Sequence, residues 1–223
     1  MWVFKSSLRN SYLATNPKVL TQTLLKQKNL TRFTSKSRYL HMLAKEVSPS
    51  MGPEYVMLVR NPYKRLESFF KEKLRQKVKM VFDDDPYILK RHQEVFYSYL
   101  KIKSSDPLEV KAAALLKLTF KEFIMNVRDV YKIEDHISPQ TLNFSRSLMG
   151  VNRVMRMNKY VHLENADEMK WLADYFKLDL SIRINTTHEI DDAIEWDDES
   201  ISVVKEIFRK DFDTFSYSVE PDA

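Results

Sequence analysis

The feature that most constrains this chain is a continuous apolar run over residues 55–59, followed at once by Arg60, Asn61 and Pro62. Five apolar residues in a row are typical of a parallel strand that is covered on both faces. Asn61-Pro62 ends the strand, and Pro62 suits the first turn of a helix, where its missing N–H is not needed. We therefore expect a strand over 54–60 that leads directly into a helix.

The rest of the chain alternates between strand and helix patterns. A short strand is expected over 2–4 and a strand or hairpin arm over 153–163. Helices are expected over 8–28, near 38–46 and over 199–212. Residues 86–131 are expected to form several helices, with a break near 104–107. Irregular structure is expected over 132–150 and 186–198. Asn165, with Glu168 three residues later, fits a capping box. This order predicts an α/β fold of three layers, a central parallel sheet flanked by helices, with a helix-rich middle. We expect a single domain over 1–223, with a helical insertion at about 86–131.

Charge is distributed unevenly along the chain. Residues 1–80 carry 17 Lys and Arg against 4 Asp and Glu, whereas the remainder carries 19 against 27. A basic first half suggests an anionic ligand, although single lysines also serve as a solvated surface. Gly52 and Gly150 are the two glycines, which excludes a glycine-rich phosphate loop. A phosphate site must therefore be built from side chains and helix N-termini.

Several classes of protein are excluded or disfavoured by composition. The chain has no cysteine, which excludes disulfides, thiolate zinc sites and cysteine nucleophiles. No run of eighteen apolar residues occurs, and the first residues lack the layout of a signal peptide. We expect no transmembrane segment and a cytoplasmic location. The sequence gives no indication of oligomeric state.

The strand-to-helix segment can carry chemistry. It places Arg60 at the carboxyl end of a buried strand, where ligands of open α/β sheets bind. A guanidinium beside a helix N-terminus makes a phosphate site, and Ser68 follows two turns into that helix. The alternative is structural: Arg60 makes a surface ion pair, and Ser68 is a hydroxyl on a helix face.

Residues 59–74 resemble the 3′-phosphate-binding motif of carbohydrate sulfotransferases related to chondroitin, dermatan and heparan O-sulfotransferases. That motif has the form V-R-[DN]-P-[YF]-x-R-L-x-S. The resemblance implies that Arg60 and Ser68 hold the 3′-phosphate of 3′-phosphoadenosine-5′-phosphosulfate (PAPS), with Arg65 structural. It also implies the P-loop-like sulfotransferase fold, and PAPS-dependent transfer of a sulfuryl group to a carbohydrate hydroxyl without a metal.

Three further segments extend the resemblance to about residue 217. Residues 134–140 resemble the family's acceptor-side H-x-x-P-Q element, and residues 160–165 resemble its strand ending in Glu-x-Leu. Residues 207–217 resemble its C-terminal Y-x-x-D-F-x-x-F-x-Y block. The relatives are membrane-associated, whereas no anchor is expected here.

The N-terminus departs from the family pattern. The family begins with a loop of the form P-K-x-[AG]-[ST]-[ST]-S-x-R, which grips the 5′-phosphosulfate. This chain has Lys5, Ser6, Ser7 and Arg9 in that order, but about three loop residues are missing. One hypothesis is a shortened loop at the start of the first helix. The other is a degraded site, in a non-catalytic member of the fold that binds a nucleotide or a glycan.

Catalytic roles follow from the same resemblance. Lys5 would neutralise the leaving 5′-phosphate, with Ser6, Ser7 and Arg9 assisting. His136 is the first candidate for the base that takes the acceptor's proton, because histidines titrate near neutral pH. Glu164 is the second candidate, and the alternative for His136 is a hydrogen-bonded loop histidine. Asp135 is not expected to orient the ring, and the other histidines have no comparable context.

Two readings of the basic residues remain open. A helix carrying Lys71, Lys73, Arg75, Lys77 and Lys79 either guides an anionic polysaccharide or is a solvated surface. A nucleic-acid-binding protein is a further alternative, but no recognised nucleic-acid module occurs, so no nucleic-acid partner is expected. The expected partner is a carbohydrate or another hydroxyl acceptor.

Overall fold

The computed structural model describes residues 2–16, 19–32, 53–148, 151–154, 157–181 and 194–221. The helix predicted near 38–46 and most of the acidic segment over 186–198 lie outside them. The chain divides into two compact units, Met1–Asn61 with Gln140–Asn185, and Pro62–Pro139 with Thr186–Ala223. Within the described residues, the first unit contains the strands and the second contains helices.

The regular elements, in chain order, are as follows. The strands are β1 (Trp2–Ser6), β2 (Ser11–Thr15), β3 (Leu30–Arg32), β4 (Glu54–Val59), β5 (Ser145–Leu148), β6 (Val151–Val154) and β7 (Lys159–His162). The α-helices are α1 (Thr21–Leu25), α2 (Pro62–Phe69), α3 (Lys77–Lys79), α4 (Arg91–Glu94), α5 (Leu108–Lys117), α6 (Phe120–Val130), α7 (Gln140–Phe144), α8 (Ala166–Phe176) and α9 (Asp198–Phe215). A π-helix (Phe70–Gln76) joins α2 to α3, and a 3₁₀-helix (Met80–Phe82) follows. Among the described helices, none combines the length and the apolar character that a bilayer crossing needs.

The main sheet has the order β3-β1-β2-β4-β7. Strand β4 lies between β2 and β7 and runs parallel to both. Strand β1 is antiparallel to β2 and to β3. The α/β class is therefore confirmed, whereas the prediction of a wholly parallel sheet is wrong, because a short turn over 7–10 returns the chain beside β1.

The helix predicted over 8–28 is wrong. Residues Ser11–Thr15 form β2, all five of them buried, and among the described residues of this stretch only Thr21–Leu25 is helical. A short apolar run such as Tyr12-Leu13-Ala14 fits a buried strand as well as one turn of a helix, and periodicity does not separate the two. The pairing of β2 with β1 and β4 decides in favour of the strand.

Other predicted elements are found with different bounds. The strand over 54–60 and the helix from Pro62 are confirmed, as is the break between α4 and α5. The stretch over 132–150 is not irregular throughout, since it contains α7 and β5. The arm over 153–163 belongs to two sheets, because β6 pairs with β5 and β7 joins the main sheet.

Each unit has its own apolar core. In the first unit, Leu13, Val56 and Val161 of the sheet pack with Leu172 and Phe176 of α8. The second unit is built around an aromatic cluster, in which Phe69 stacks on Phe123 at a centroid distance of 5.7 Å. Burial of side chains of this size is the main force that stabilises each unit.

The N-terminus of α8 is capped as the sequence predicts, with one difference. The Oδ1 atom of Asn165 accepts the backbone N–H groups of Asp167 and Glu168, both at 3.1 Å. The Glu168 carboxylate, however, accepts the backbone N–H of His162 at 2.6 Å and its ring Nδ1 at 2.8 Å. Glu168 therefore joins the end of β7 to the first turn of α8. The N–H of Asn165 donates to the carbonyl of His162 at 3.1 Å, so the reciprocal bond of the predicted capping box is not formed.

The predicted basic helix face is interrupted. Residues Phe70–Gln76 form a π-helix, in which residues five apart are neighbours, and Arg75 lies over the Phe70 ring at 4.1 Å. Arg75 is 5% exposed and donates to the carbonyls of Leu74 (3.0 Å), Leu115 (3.3 Å) and Leu118. Arg75 is thus a structural residue of the second unit and is not available to an anionic polysaccharide.

Candidate active site

The carboxyl ends of three parallel strands meet at one edge of the main sheet. In the pairing register, Thr15 of β2 lies opposite Leu58 of β4, and Val59 of β4 lies opposite His162 of β7. Asn16, Arg60 and Glu164 follow these three strand ends. Each strand is followed by a helix, and this edge is where open α/β sheets bind ligands.

Arg60 is held firmly at this edge. Its backbone N–H donates to Oε1 of Gln140 at 3.1 Å, and its carbonyl accepts Nε2 of Gln140 at 2.7 Å. The Glu164 carboxylate accepts the N–H of Asn61 at 3.0 Å and lies 3.9 Å from Nε of Arg60. The Arg60 side chain is 22% exposed, although its Nε atom is buried. The hydrogen bonds to Gln140 fix the Arg60 backbone.

These contacts bear on the second candidate base. Oε1 of Glu164 accepts the N–H of Asn61, and the same oxygen forms the ion pair with Arg60. The contact with Arg60 makes Glu164 a residue that holds the strand end, and its role as a base stays a prediction.

Lys5 and Ser6 end β1, and Ser7 and Arg9 lie in the turn that follows, at the opposite edge of the sheet. This turn joins β1 to β2, and Ser11, the first residue of β2, pairs with Glu54, the first residue of β4. The six residues of β4 therefore separate the turn from Arg60 by roughly 20 Å. The expectation of a shortened loop at the start of a helix is wrong, because the segment is a hairpin turn.

The side chains of this turn have local roles. Ser6 is buried, and its Oγ accepts the N–H of Leu8 at 3.2 Å. Ser7 donates its N–H and its hydroxyl to the carbonyl of Asn29, at 3.0 and 3.2 Å. The Arg9 guanidinium lies 4.5 Å from the Tyr175 ring, and Lys5 is exposed. The structure does not bring these residues to Arg60.

A different segment begins at the same edge of the sheet as Arg60. After β2 the chain passes from Asn16 to α1, which begins at Thr21. The carbonyl of Asn16 accepts the N–H of Val19 at 3.2 Å and Oγ1 of Thr21 at 2.9 Å. Pro17 and Lys18 lie outside the described residues. The connection from β2 is thus a strand–loop–helix unit at the same edge as Arg60.

The sequence contains a signal for this segment. Pro17 and Lys18, followed by Thr21 and Thr23, match the P-K-x-[AG]-[ST]-[ST]-S-x-R form at four of its seven defined positions if Thr23 stands for the last serine. Leu20, Gln22 and Leu25 depart from it, and Leu20 adopts a left-handed φ of 54° where the family form has alanine or glycine. A single helix over 8–28 hides this signal, because it places Pro17 and Lys18 inside a helix and not after a strand.

In the second unit, His136 forms a pair with Glu134. Nδ1 of His136 is hydrogen-bonded to Oε1 of Glu134, which also accepts the backbone N–H of His136 at 3.0 Å. The Glu134 side chain is 6% exposed and that of His136 is 32% exposed. Because a carboxylate only accepts, the neutral His136 ring carries its proton on Nδ1, and in that tautomer Nε2 is the acceptor. This arrangement can perform general base catalysis.

The loop around this pair is fixed by Arg65, which is 1% exposed. Its guanidinium donates to the carbonyl of Asp135 at 2.8 Å and to that of Ser138. The two acceptors flank His136, so Arg65 fixes the backbone on both sides of the candidate base. This structural role agrees with what the resemblance implies for the second arginine of the motif.

His92 is a neighbour of this pair that the sequence analysis gave no role. Its ring lies edge-on to His136 at a centroid distance of 5.5 Å, and its Nε2 is 3.4 Å from the hydroxyl of Tyr87. No local pattern links α4 to the loop at 134–138, so this contact is visible only in the fold.

Ser68, the other predicted phosphate residue, is half-buried near the end of α2, and its role stays a prediction.

Glu134 makes stability depend on pH. Burial raises the pKa of the Glu134 carboxyl, but the hydrogen bonds from the ring and backbone of His136 outweigh burial, so the pKa lies below its usual 4.5. A lowered pKa stabilises the fold above pH 4.5, and this stabilisation is lost as the pH falls through the lower, folded value. We expect Glu134→Gln to lower the free energy of unfolding at pH 6, and the deficit to shrink towards pH 3. Urea unfolding at both values tests this, and a deficit that grows on acidification contradicts it.

Comparison with known proteins identifies the class of the chain. The profile of a family described as "Sulfotransferase family" matches residues 9–218, which is most of the chain. Neither a search of curated proteins nor a search of solved structures gives a match. The matched region includes the edge with Arg60, the segment after β2 and the pair of Glu134 with His136. The chain therefore belongs to the sulfotransferase family.

Proposed function

We propose that this sulfotransferase moves a sulfuryl group from PAPS to a hydroxyl of a carbohydrate acceptor. The observation that carries the proposal is Arg60, in the segment that resembles the family's 3′-phosphate motif. Its backbone is fixed by Gln140, and its side chain is partly exposed at the carboxyl edge of the parallel strands. A guanidinium in this position suits a phosphate, which it can bind through two parallel hydrogen bonds.

We assign the 5′-phosphosulfate to the segment after β2, instead of Lys5–Arg9. The reason is the parallel pairing of β2 with β4, which brings the ends of these strands to one edge. Lys18 takes the part that the sequence analysis gave to Lys5, with hydroxyls from Thr21 and Thr23. The parallel order of β2, β4 and β7, each followed by a helix, supports the P-loop-like arrangement.

Sulfuryl transfer depends mainly on aligning the donor with the acceptor and on stabilising the charge of the leaving group, and less on covalent catalysis. PAPS, when bound, supplies the sulfuryl group and the leaving phosphate. Arg60 holds the 3′-phosphate, and Lys18 neutralises charge on the departing 5′-phosphate. His136 takes the proton of the acceptor hydroxyl on Nε2, while Glu134 keeps the ring in the tautomer that can do so.

Titration with 3′-phosphoadenosine-5′-phosphate (PAP), the stable product, tests the donor site. We expect Arg60→Ala to weaken PAP binding by about 10–100-fold, because a charge-assisted contact is lost. Lys5→Ala and Arg9→Ala are matched controls that each remove one positive charge at the other edge of the sheet. We expect both to leave the dissociation constant within about twofold. Absence of PAP binding by the wild type, or an equal loss in Lys5→Ala, contradicts the proposal.

The second candidate function is a nucleotide- or glycan-binding member of the family without turnover. The departures at Leu20 and Gln22 from the family's loop form favour it. The discriminating experiment is transfer from radiolabelled PAPS to a panel of desulfated polysaccharides. Label incorporation supports the enzyme, whereas PAP binding without incorporation into any acceptor supports the binding protein.

A further inference from the structure

Gln140 occupies an unusual position for a glutamine. It is the first residue of α7 and is fully buried, with 0% of its surface exposed. Its side-chain amide bonds both backbone groups of Arg60, as donor to the carbonyl and as acceptor from the N–H. Arg60 lies one residue beyond β4, where pairing with β7 has ended at Val59. The glutamine side chain therefore continues the hydrogen bonding of the strand by one residue.

The same glutamine also contacts the end of β2. Nδ2 of Asn16 points to the carbonyl of Gln140 at 3.5 Å, and Asn16 is itself fully buried. The carbonyl of Asn16 in turn holds Val19 and Thr21. Gln140 thus connects the two strand ends from which the proposed 5′- and 3′-phosphate segments begin.

We propose that Gln140 is a positioning residue that sets selectivity for the 3′-phosphate by fixing the backbone of Arg60. The inference rests on the proposed function, because it takes Arg60 as the 3′-phosphate ligand. An arginine side chain has many rotamers, and the direction in which it leaves the backbone is set by φ and ψ of its own residue. Fixing both peptide groups of Arg60 limits the positions that its guanidinium can reach, and this lowers the entropy cost of binding the phosphate.

The test compares two ligands that differ by one group. PAP carries the 3′-phosphate and adenosine 5′-monophosphate (AMP) does not, so the ratio of their dissociation constants measures the contribution of the contacts to the 3′-phosphate, Arg60 among them. We expect Gln140→Met, which has similar length and neither hydrogen bond, to reduce the preference for PAP about tenfold. The dissociation constant of AMP for Gln140→Met should stay within about twofold of the wild-type value. Gln140→Glu keeps the acceptor for the Arg60 N–H but loses the donor, and serves as the second variant if Gln140→Met does not fold.

A double substitution makes the test specific to Arg60. In an Arg60→Ala background, Gln140→Met should cause no further loss of preference, because residues that act through one another are not additive. A merely structural glutamine would weaken PAP and AMP equally and lower the unfolding temperature without changing their ratio, and that result overturns the inference. A wild type that does not prefer PAP overturns the proposed function, whereas a preference that survives in Gln140→Met overturns the positioning role alone.

Discussion

His136→Ala is expected to lower kcat for sulfuryl transfer by about 10²–10⁴-fold, the usual contribution of a general base. The imidazole is held through Nδ1 by Glu134, which leaves Nε2 as the proton acceptor. His136 is assigned to the acceptor and not to the donor, so the dissociation constant of PAP should not change. Single-turnover transfer from radiolabelled PAPS, together with PAP titration of the same protein, measures both quantities.

Two neighbouring substitutions give matched controls for His136. Asp135→Asn removes an adjacent carboxylate whose described contact is made by its backbone carbonyl to Arg65, and it should leave kcat unchanged. Glu134→Gln keeps a side chain of the same shape but no longer fixes the tautomer, and it should lower kcat without altering PAP binding. If His136→Ala and Asp135→Asn have the same kcat, His136 is a loop histidine and the base lies elsewhere.

Arg75→Ala is expected to lower the free energy of unfolding by about 3 kcal/mol, a large part of the stability of a typical domain. Arg75 is buried, lies over the Phe70 ring and donates to Leu115 and Leu118, whose carbonyls belong to the last turn of α5 and the residue after it. A cation in this place satisfies carbonyls that a helix end leaves without partners. Its removal leaves a cavity and a buried carbonyl at Leu118 without its guanidinium partner.

Lys79→Ala is the control for Arg75, since Lys79 carries the same charge four residues later but is exposed. Urea unfolding should show a change within about 0.5 kcal/mol for Lys79→Ala. The free energy of unfolding of Arg75→Lys should lie between those of Arg75→Ala and Lys79→Ala, because an ammonium keeps the charge but not the planar fork of the guanidinium. Equal unfolding curves for Arg75→Ala and Lys79→Ala would show that the buried contacts of Arg75 contribute nothing.

Three predictions that depended on a few consecutive residues agree with the structure. The apolar run over 55–59 forms β4, Pro62 begins α2 and Asn165 caps α8, since each depends on a few consecutive residues. The Arg60 segment and the loop at His136 were found in the same way, because family motifs are local patterns. The helix predicted over 8–28 is wrong because the apolar residues of this region suit either a helix or a buried strand. Only pairing with the neighbouring strands decides between the two.

The sequence by itself determined the α/β class, the central strand and the family, and it pointed to Arg60 and His136 as candidate residues. Tertiary structure alone decided which edge of the sheet each loop reaches, and so separated Lys5 and Arg9 from Arg60. It also decided that Gln140 holds Arg60, that Glu134 rather than Asp135 holds His136, and that Arg75 is buried. The physical reason is that strand direction, burial and hydrogen bonds between distant residues arise from pairing across the fold, which no local pattern encodes.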